Sequence, residues 1–141
     1  MDTSTVGFTM IQTEEIGNLH EVAFIKVFIE PLRRERFQGF LASPKKRRKF
    51  TDEFYHLKSG FLIPKFLRKI SGPQTSSAAL YKTLRRMGAP DTCWVIGGRR
   101  DAQQVELLDA LSLPEDGVVI SCIPGKLAYV KSEDEEYIVQ S

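Results

Sequence analysis

Apolar positions follow a helical period over much of the first ninety residues and give way to short, nearly continuous apolar runs after Pro90. Asn18-Leu19-His20-Glu21 has the Asn-x-x-Glu form of a capping box, which marks a helix N-terminus, and it introduces a run of Val, Ile and Phe over residues 22–29. We take that run as a helix of about three turns, although β-branched residues at so many positions fit a buried strand as well. Pro31 suits the first turn of a second helix that ends near Ser43, with Phe37, Phe40 and Leu41 inward and Arg33, Arg34 and Arg36 mainly outward. Ser43-Pro44 restarts the chain as a third helix whose stripe is Phe50, Phe54 and Leu57. Only that stripe needs burial, so Lys45, Arg48 and Lys49 are free to face water. Asp52 and Glu53, four residues beyond Arg48 and Lys49, are placed to pair with them.

Pro64 divides residues 61–70 into a short extended piece and a helical turn, and residues 71–75 read as a loop. Thr75 or Ser76 can cap a helix that buries Leu80, Leu84 and Met87 and turns Lys82, Arg85 and Arg86 outward; Gly88 and Pro90 stop it. Beyond Pro90, residues 93–96 form a short strand and residues 97–100 a loop. Asp101 with Gln104 makes another capping box, before a helix carrying Val105, Leu108 and Leu111. Residues 118–123 are the strongest strand of the sequence, Pro124-Gly125 has the residues of a type II turn, and residues 127–130 and 137–139 complete a sheet. Neither half has a core of its own. The expected fold is α+β, a single domain over residues 1–141, with a helical N-terminal two-thirds packed on one face of a small, mostly antiparallel, βαββ-like C-terminal sheet.

Composition supports a globular chain: 42% of residues are hydrophobic and 27% charged, with nine Phe. No apolar run approaches the roughly 18 residues of a membrane span, and the first residues lack the basic start and apolar stretch of a secretory signal, so a cytoplasmic protein with no membrane association is expected. Cys93 and Cys122 sit in apolar surroundings, as free buried thiols do. With His20 and His56 the only histidines, the sequence points to no metal site and no cofactor.

Charge changes the picture most. Residues 1–30 carry one Lys and five acids, net −4; residues 31–100 carry seventeen Lys and Arg and four acids, net +13; residues 101–141 carry two Lys and nine acids, net −7. So basic a middle must meet either the acidic flanks or an outside anion. The expected binding face comprises Arg33, Arg34, Arg36, Lys45, Lys46, Arg47, Arg48, Lys49, Lys82, Arg85 and Arg86, with a third basic cluster at Lys65, Arg68 and Lys69 between them. The run from Pro44 through Phe50 resembles a short basic nuclear-import signal, but Phe50, Phe54 and Leu57 predict that it continues into a packed helix. No helix-turn-helix, zinc-finger or aromatic RNA-stacking motif is present, so binding would be to phosphate backbone rather than to bases.

The leading expectation is therefore a non-catalytic intracellular protein that engages nucleic acid or an acidic protein partner. One alternative is a small enzyme or ligand-binding domain for a phosphorylated molecule at Gly97, Gly98, Arg99 and Arg100, where a strand-to-helix loop could present backbone N–H groups and two guanidinium groups. That loop lacks the spacing of a dinucleotide fingerprint or P-loop, and Asp101 as cap would occupy the same donors. Another is a structural or homo-oligomerising protein whose charged segments neutralise one another. No catalytic residue is assigned: Cys122 with His56 or His20 as base is the only nucleophile pairing on offer, and nothing in the spacing joins them.

Overall fold

A computed structural model describes residues 3–57, 60–97, 102–113 and 115–141, with side chains from residue 14 onward. Three helices come first: α1 (Thr3–Phe28), α2 (Arg34–Leu41, entered through a 3-10 turn at Pro31–Arg33) and α3 (Pro44–His56). After a 3-10 turn at Pro64–Phe66 follow β1 (Leu67–Ile70), α4 (Ser77–Arg86), β2 (Thr92–Ile96), β3 (Gln103–Glu106) and α5 (Leu107–Leu111). The chain closes with β4 (Val118–Ile123), β5 (Leu127–Lys131) and β6 (Glu136–Gln140). All pairings in the six-stranded sheet are antiparallel, in the order β1-β6-β5-β4-β2-β3. The fold is α+β, with the helices mostly in the N-terminal part.

Alternation along the central strands sends side chains to two cores. Val119, Ala128, Val130 and Val139 pack with Phe24, Phe28, Phe37, Phe40, Phe50, Phe54 and Phe61 on the side of α1, α2 and α3. Ile120, Cys122, Leu127, Tyr129 and Ile138 pack with Leu80, Leu84, Leu107, Ala110 and Leu111 on the side of α4 and α5. Helices thus cover both faces of the sheet, not one. The physical reason lies in β4 and β5, which are buried at nearly every position and so need apolar cover on each side.

Local signals located most elements. Ser43 and Pro44 stand at the start of α3 as expected, although the Ser43 hydroxyl makes no cap bond. Ser76 caps α4, its Oγ accepting from the Ala79 N–H at 3.2 Å. The β4–β5 turn is closed by the Lys126 N–H donating to the Ile123 carbonyl at 3.0 Å, with Gly125 at φ +67°, the conformation the third residue of a type II turn requires.

Two further expectations fail. Residues 22–29 are helical through Phe28, but the helix runs from Thr3 and Asn18 lies inside it, exposed, rather than at its start. Glu21 does not reach back to cap; it turns inward to an ion pair described below. Further on, Gln103–Glu106 is a strand rather than the first turn of a helix, because it completes the sheet by pairing with the otherwise open edge of β2. The helix that follows is only one turn or so, buries Leu107, Ala110 and Leu111, and leaves Leu108 exposed. The Asp101 cap expected for it lies outside the described residues.

Candidate anion-binding surfaces

The cations of α3 divide by helical phase. Arg47 precedes Phe50 by three positions and Phe54 by seven, which puts it on the buried stripe of the helix, and only 1% of its surface is exposed. There its guanidinium forms an ion pair with the buried Glu21 carboxylate of α1 and donates to the Leu41 carbonyl at 3.0 Å. Arg47 is therefore internal and does not belong to the surface on which the sequence placed it. Lys45, Lys46, Arg48 and Lys49 are exposed, and none has a carboxylate partner among the described residues. The expected pairs of Arg48 with Asp52 and Lys49 with Glu53 do not form; Glu53 instead accepts from Arg36 at 2.6 Å.

On α2 the arginines are partly committed. Arg34 is half-buried and its Nε donates to the Ile29 carbonyl at 2.9 Å, while exposed Arg36 lies 5.3 Å over the Phe40 ring. A shallow groove of about 430 Å³ between α2 and α3 brings Arg36, Lys46 and Lys49 around Phe40, with Glu35 and the almost fully exposed Leu32 at its rim.

Lys82, Arg85 and Arg86 are on α4, with the sheet between them and α2 and α3. The single basic face expected from the sequence is thus two surfaces facing apart. Arg85 is tied to its own helix end, donating to the Ala89 carbonyl at 2.8 Å and lying 3.4 Å from Asp91. Lys82 and Arg86 instead line a groove of about 760 Å³ with Arg68 of β1. Elsewhere the acidic ends do meet the basic middle: Lys69 contacts Glu135, and His56 contacts Glu133, each at 3.3 Å. Self-neutralisation is real but partial.

Of the alternative anion loop, Gly97 is described, at φ +129° beside Thr51 of α3, whereas Gly98, Arg99 and Arg100 lie outside the described residues. The nucleophile candidates are separated. His20, buried, shares a 2.7 Å hydrogen bond with Ser121 on the α1 side of the sheet, and burial lowers its pKa to about 4. Cys122 faces the opposite side with Cys93, and burial pushes both thiols up to about 12, so neither forms a thiolate near neutral pH. Among the described residues, no group of three or more His, Cys, Asp and Glu side chains is arranged to hold a metal ion, and no helix is long and apolar enough to cross a membrane. No protein-family model matches the chain, and no curated protein or solved structure matches it either.

Sequence reasoning missed the Glu21–Arg47 pair and the groove around Arg68. A signal for the first was present, since Arg47 shares the phase of Phe50 and Phe54; the second depends on which strand lies beside α4, and no local pattern states that.

Proposed function

We propose that this chain is a non-catalytic binding protein that engages the phosphate backbone of nucleic acid through the first turns of α3 and the adjoining edge of α2. One observation carries the reading: Lys45, Lys46, Arg48 and Lys49 stand exposed and without carboxylate partners among the described residues, at the end of a helix whose dipole disfavours cations. A cation in the first turn costs about 0.3–1 kcal/mol there, which applies to Lys45 and Lys46 and fades by Arg48 and Lys49. Of the nearby carboxylates, Glu21 is used on Arg47 and Glu53 on Arg36, and exposed Asp52 and Glu35 form an ion pair with none of the four. A cluster that lowers stability and is left unneutralised is best explained by an anion outside the chain.

The test is fluorescence anisotropy with labelled duplex and single-stranded DNA and RNA over a range of salt. Contacts from four cations predict log affinity falling by about 3 to 4 per tenfold rise in salt on duplex DNA. Replacing Lys45, Lys46, Arg48 and Lys49 together with Gln abolishes the binding and the slope, while the melting temperature holds or rises. Absence of binding at low salt rejects nucleic acid and turns the surface toward an acidic protein.

A further inference from the structure

We infer that the groove between β1, β6, the 3-10 turn at Gly72–Thr75 and α4 is a binding site for a small organic phosphate monoester with an apolar body. This site is separate from the α3 surface and does not depend on it.

The groove is built by phase. Ala79, Lys82, Thr83 and Arg86 recur at i, i+3, i+4 and i+7 along α4 and form the helix flank that lines it, while Leu84 on another flank is fully buried in the core. Across from them, Arg68 of β1 stands in register with Ile138 of β6, and both line the groove. Its floor is apolar: Pro73, Ala79 and Met87 present accessible apolar surface above Ile70, Leu80 and Ile138, which are each 5% exposed or less. Its volume, about 760 Å³, falls within the roughly 300–1,000 Å³ of small-molecule sites.

Charge then selects the ligand. Arg68, Lys82 and Arg86 bring three positive charges to the wall, which contains no carboxylate, and none of the three has an ionic partner among the described residues. Their immediate neighbours differ. Lys69, next to Arg68, is taken by Glu135; Arg85, next to Arg86, is taken by Asp91 and the Ala89 carbonyl. Glu135 and Asp91 thus serve cations outside the groove, Glu136 accepts from the Tyr129 hydroxyl, and the cations that line the groove are left open. Two guanidinium forks and an ammonium suit a dianionic phosphate better than a monoanionic carboxylate, because each fork can take two oxygens of one phosphoryl group. The apolar floor adds what inorganic phosphate cannot use, so an organic substituent belongs on the ester oxygen.

The experiment is isothermal titration of the full chain with hexyl phosphate, inorganic phosphate and hexanol. Hexyl phosphate should bind at least about tenfold more tightly than either fragment, since only it uses both charge and floor. Arg68→Gln and Arg86→Gln, both at exposed positions, should each weaken it about tenfold with unchanged melting temperature. The fourfold Gln variant of α3 should bind it as the unaltered chain does. Vesicles containing phosphatidic acid separate the sources: co-sedimentation that Arg86→Gln abolishes assigns a lipid headgroup, and its absence alongside hexyl phosphate binding assigns a soluble ester. Failure of hexyl phosphate to bind, or binding insensitive to both arginine variants, overturns the site; groove-dependent binding of polyglutamate without hexyl phosphate binding replaces it with an acidic peptide site.

Discussion

On one side of the sheet seven buried phenylalanines interlock, with Phe54 within 5.8 Å of the rings of Phe24, Phe37, Phe50 and Phe61, and the buried Arg47–Glu21 pair beside them. On the other side the core is aliphatic with two thiols and Tyr129, covered by only the ten residues of α4 and the five of α5. Three helices carrying most of the aromatic side chains cover the first face; two short ones leave the second with a groove at the β1 edge. The contrast teaches that the two faces present their cations differently, on the outside of closely packed helices at α2 and α3 and inside a groove with apolar walls at α4. Rings bury the most apolar area per residue, while a thin cover keeps cations and apolar floor accessible together.

The comparison breaks first at its polar centre. Arg47→Met leaves the Glu21 carboxylate buried without its ion-pair partner and should cost about 3–5 kcal/mol in denaturant unfolding. Adding Glu21→Leu should recover most of that loss; a double variant as unstable as the single one would show that the ion pair is not the cause. Next, Phe54→Ala should destabilise by about 3–5 kcal/mol and Leu84→Ala by about 2–5 kcal/mol, Phe54 giving the larger loss because it forfeits ring contacts on four sides. Equal losses would remove the claimed asymmetry.

Acid probes the aromatic face separately. His20 titrates near 4 in the fold, against 6.5 for an ordinary histidine. The unfolded chain therefore takes up the proton first as pH drops. His20's contribution is fully present above pH 6.5 and is lost between 6.5 and about 4, a fall on the order of 3 kcal/mol. Urea unfolding across that range should show the fall, and His20→Gln, which keeps a hydrogen-bonding group for Ser121, should flatten it.

The smallest expected effect reverses a sign. Ala exceeds Gly in helix propensity by about 1 kcal/mol, yet a Cβ on Gly17 would lie 2.8 Å from Cζ3 of Trp94, where α1 crosses β2. Overpacking of about 1–3 kcal/mol should outweigh the gain, so Gly17→Ala lowers the melting temperature. A rise would mean that α1 is held less closely than the geometry implies.

How much was legible differs by element. The strands at 118–123 and 127–130 and the helices opening at Pro31, Pro44 and Ser76 were readable because proline, serine, glycine and β-branched runs act locally. The start of α1 was hidden, since its first residues include Thr, Val and Gly, weak helix formers, while Asn18 and Glu21 imitate a capping box further on. β3 was misassigned because Gln103-Gln104-Val105-Glu106 has little strand character of its own and is fixed by the β2 edge. Of the candidate surfaces, the exposure of Lys45, Arg48 and Lys49 followed from helical phase. The same phase carried an unread signal for the burial of Arg47, whereas the separation of α4 from α3 and the recruitment of Arg68 left no local signal.

The sequence by itself determined the α+β class, most element positions and the segregation of charge into a basic middle with acidic ends, because propensity, capping and composition act over a few residues. Only the tertiary structure decided that helices cover both faces of the sheet, which cations are committed to carboxylates and which line a groove. Those outcomes depend on the strand order β1-β6-β5-β4-β2-β3 and on contacts as distant in sequence as Glu21 with Arg47. Such pairings are fixed when separate segments bury apolar surface together, and no local pattern encodes them.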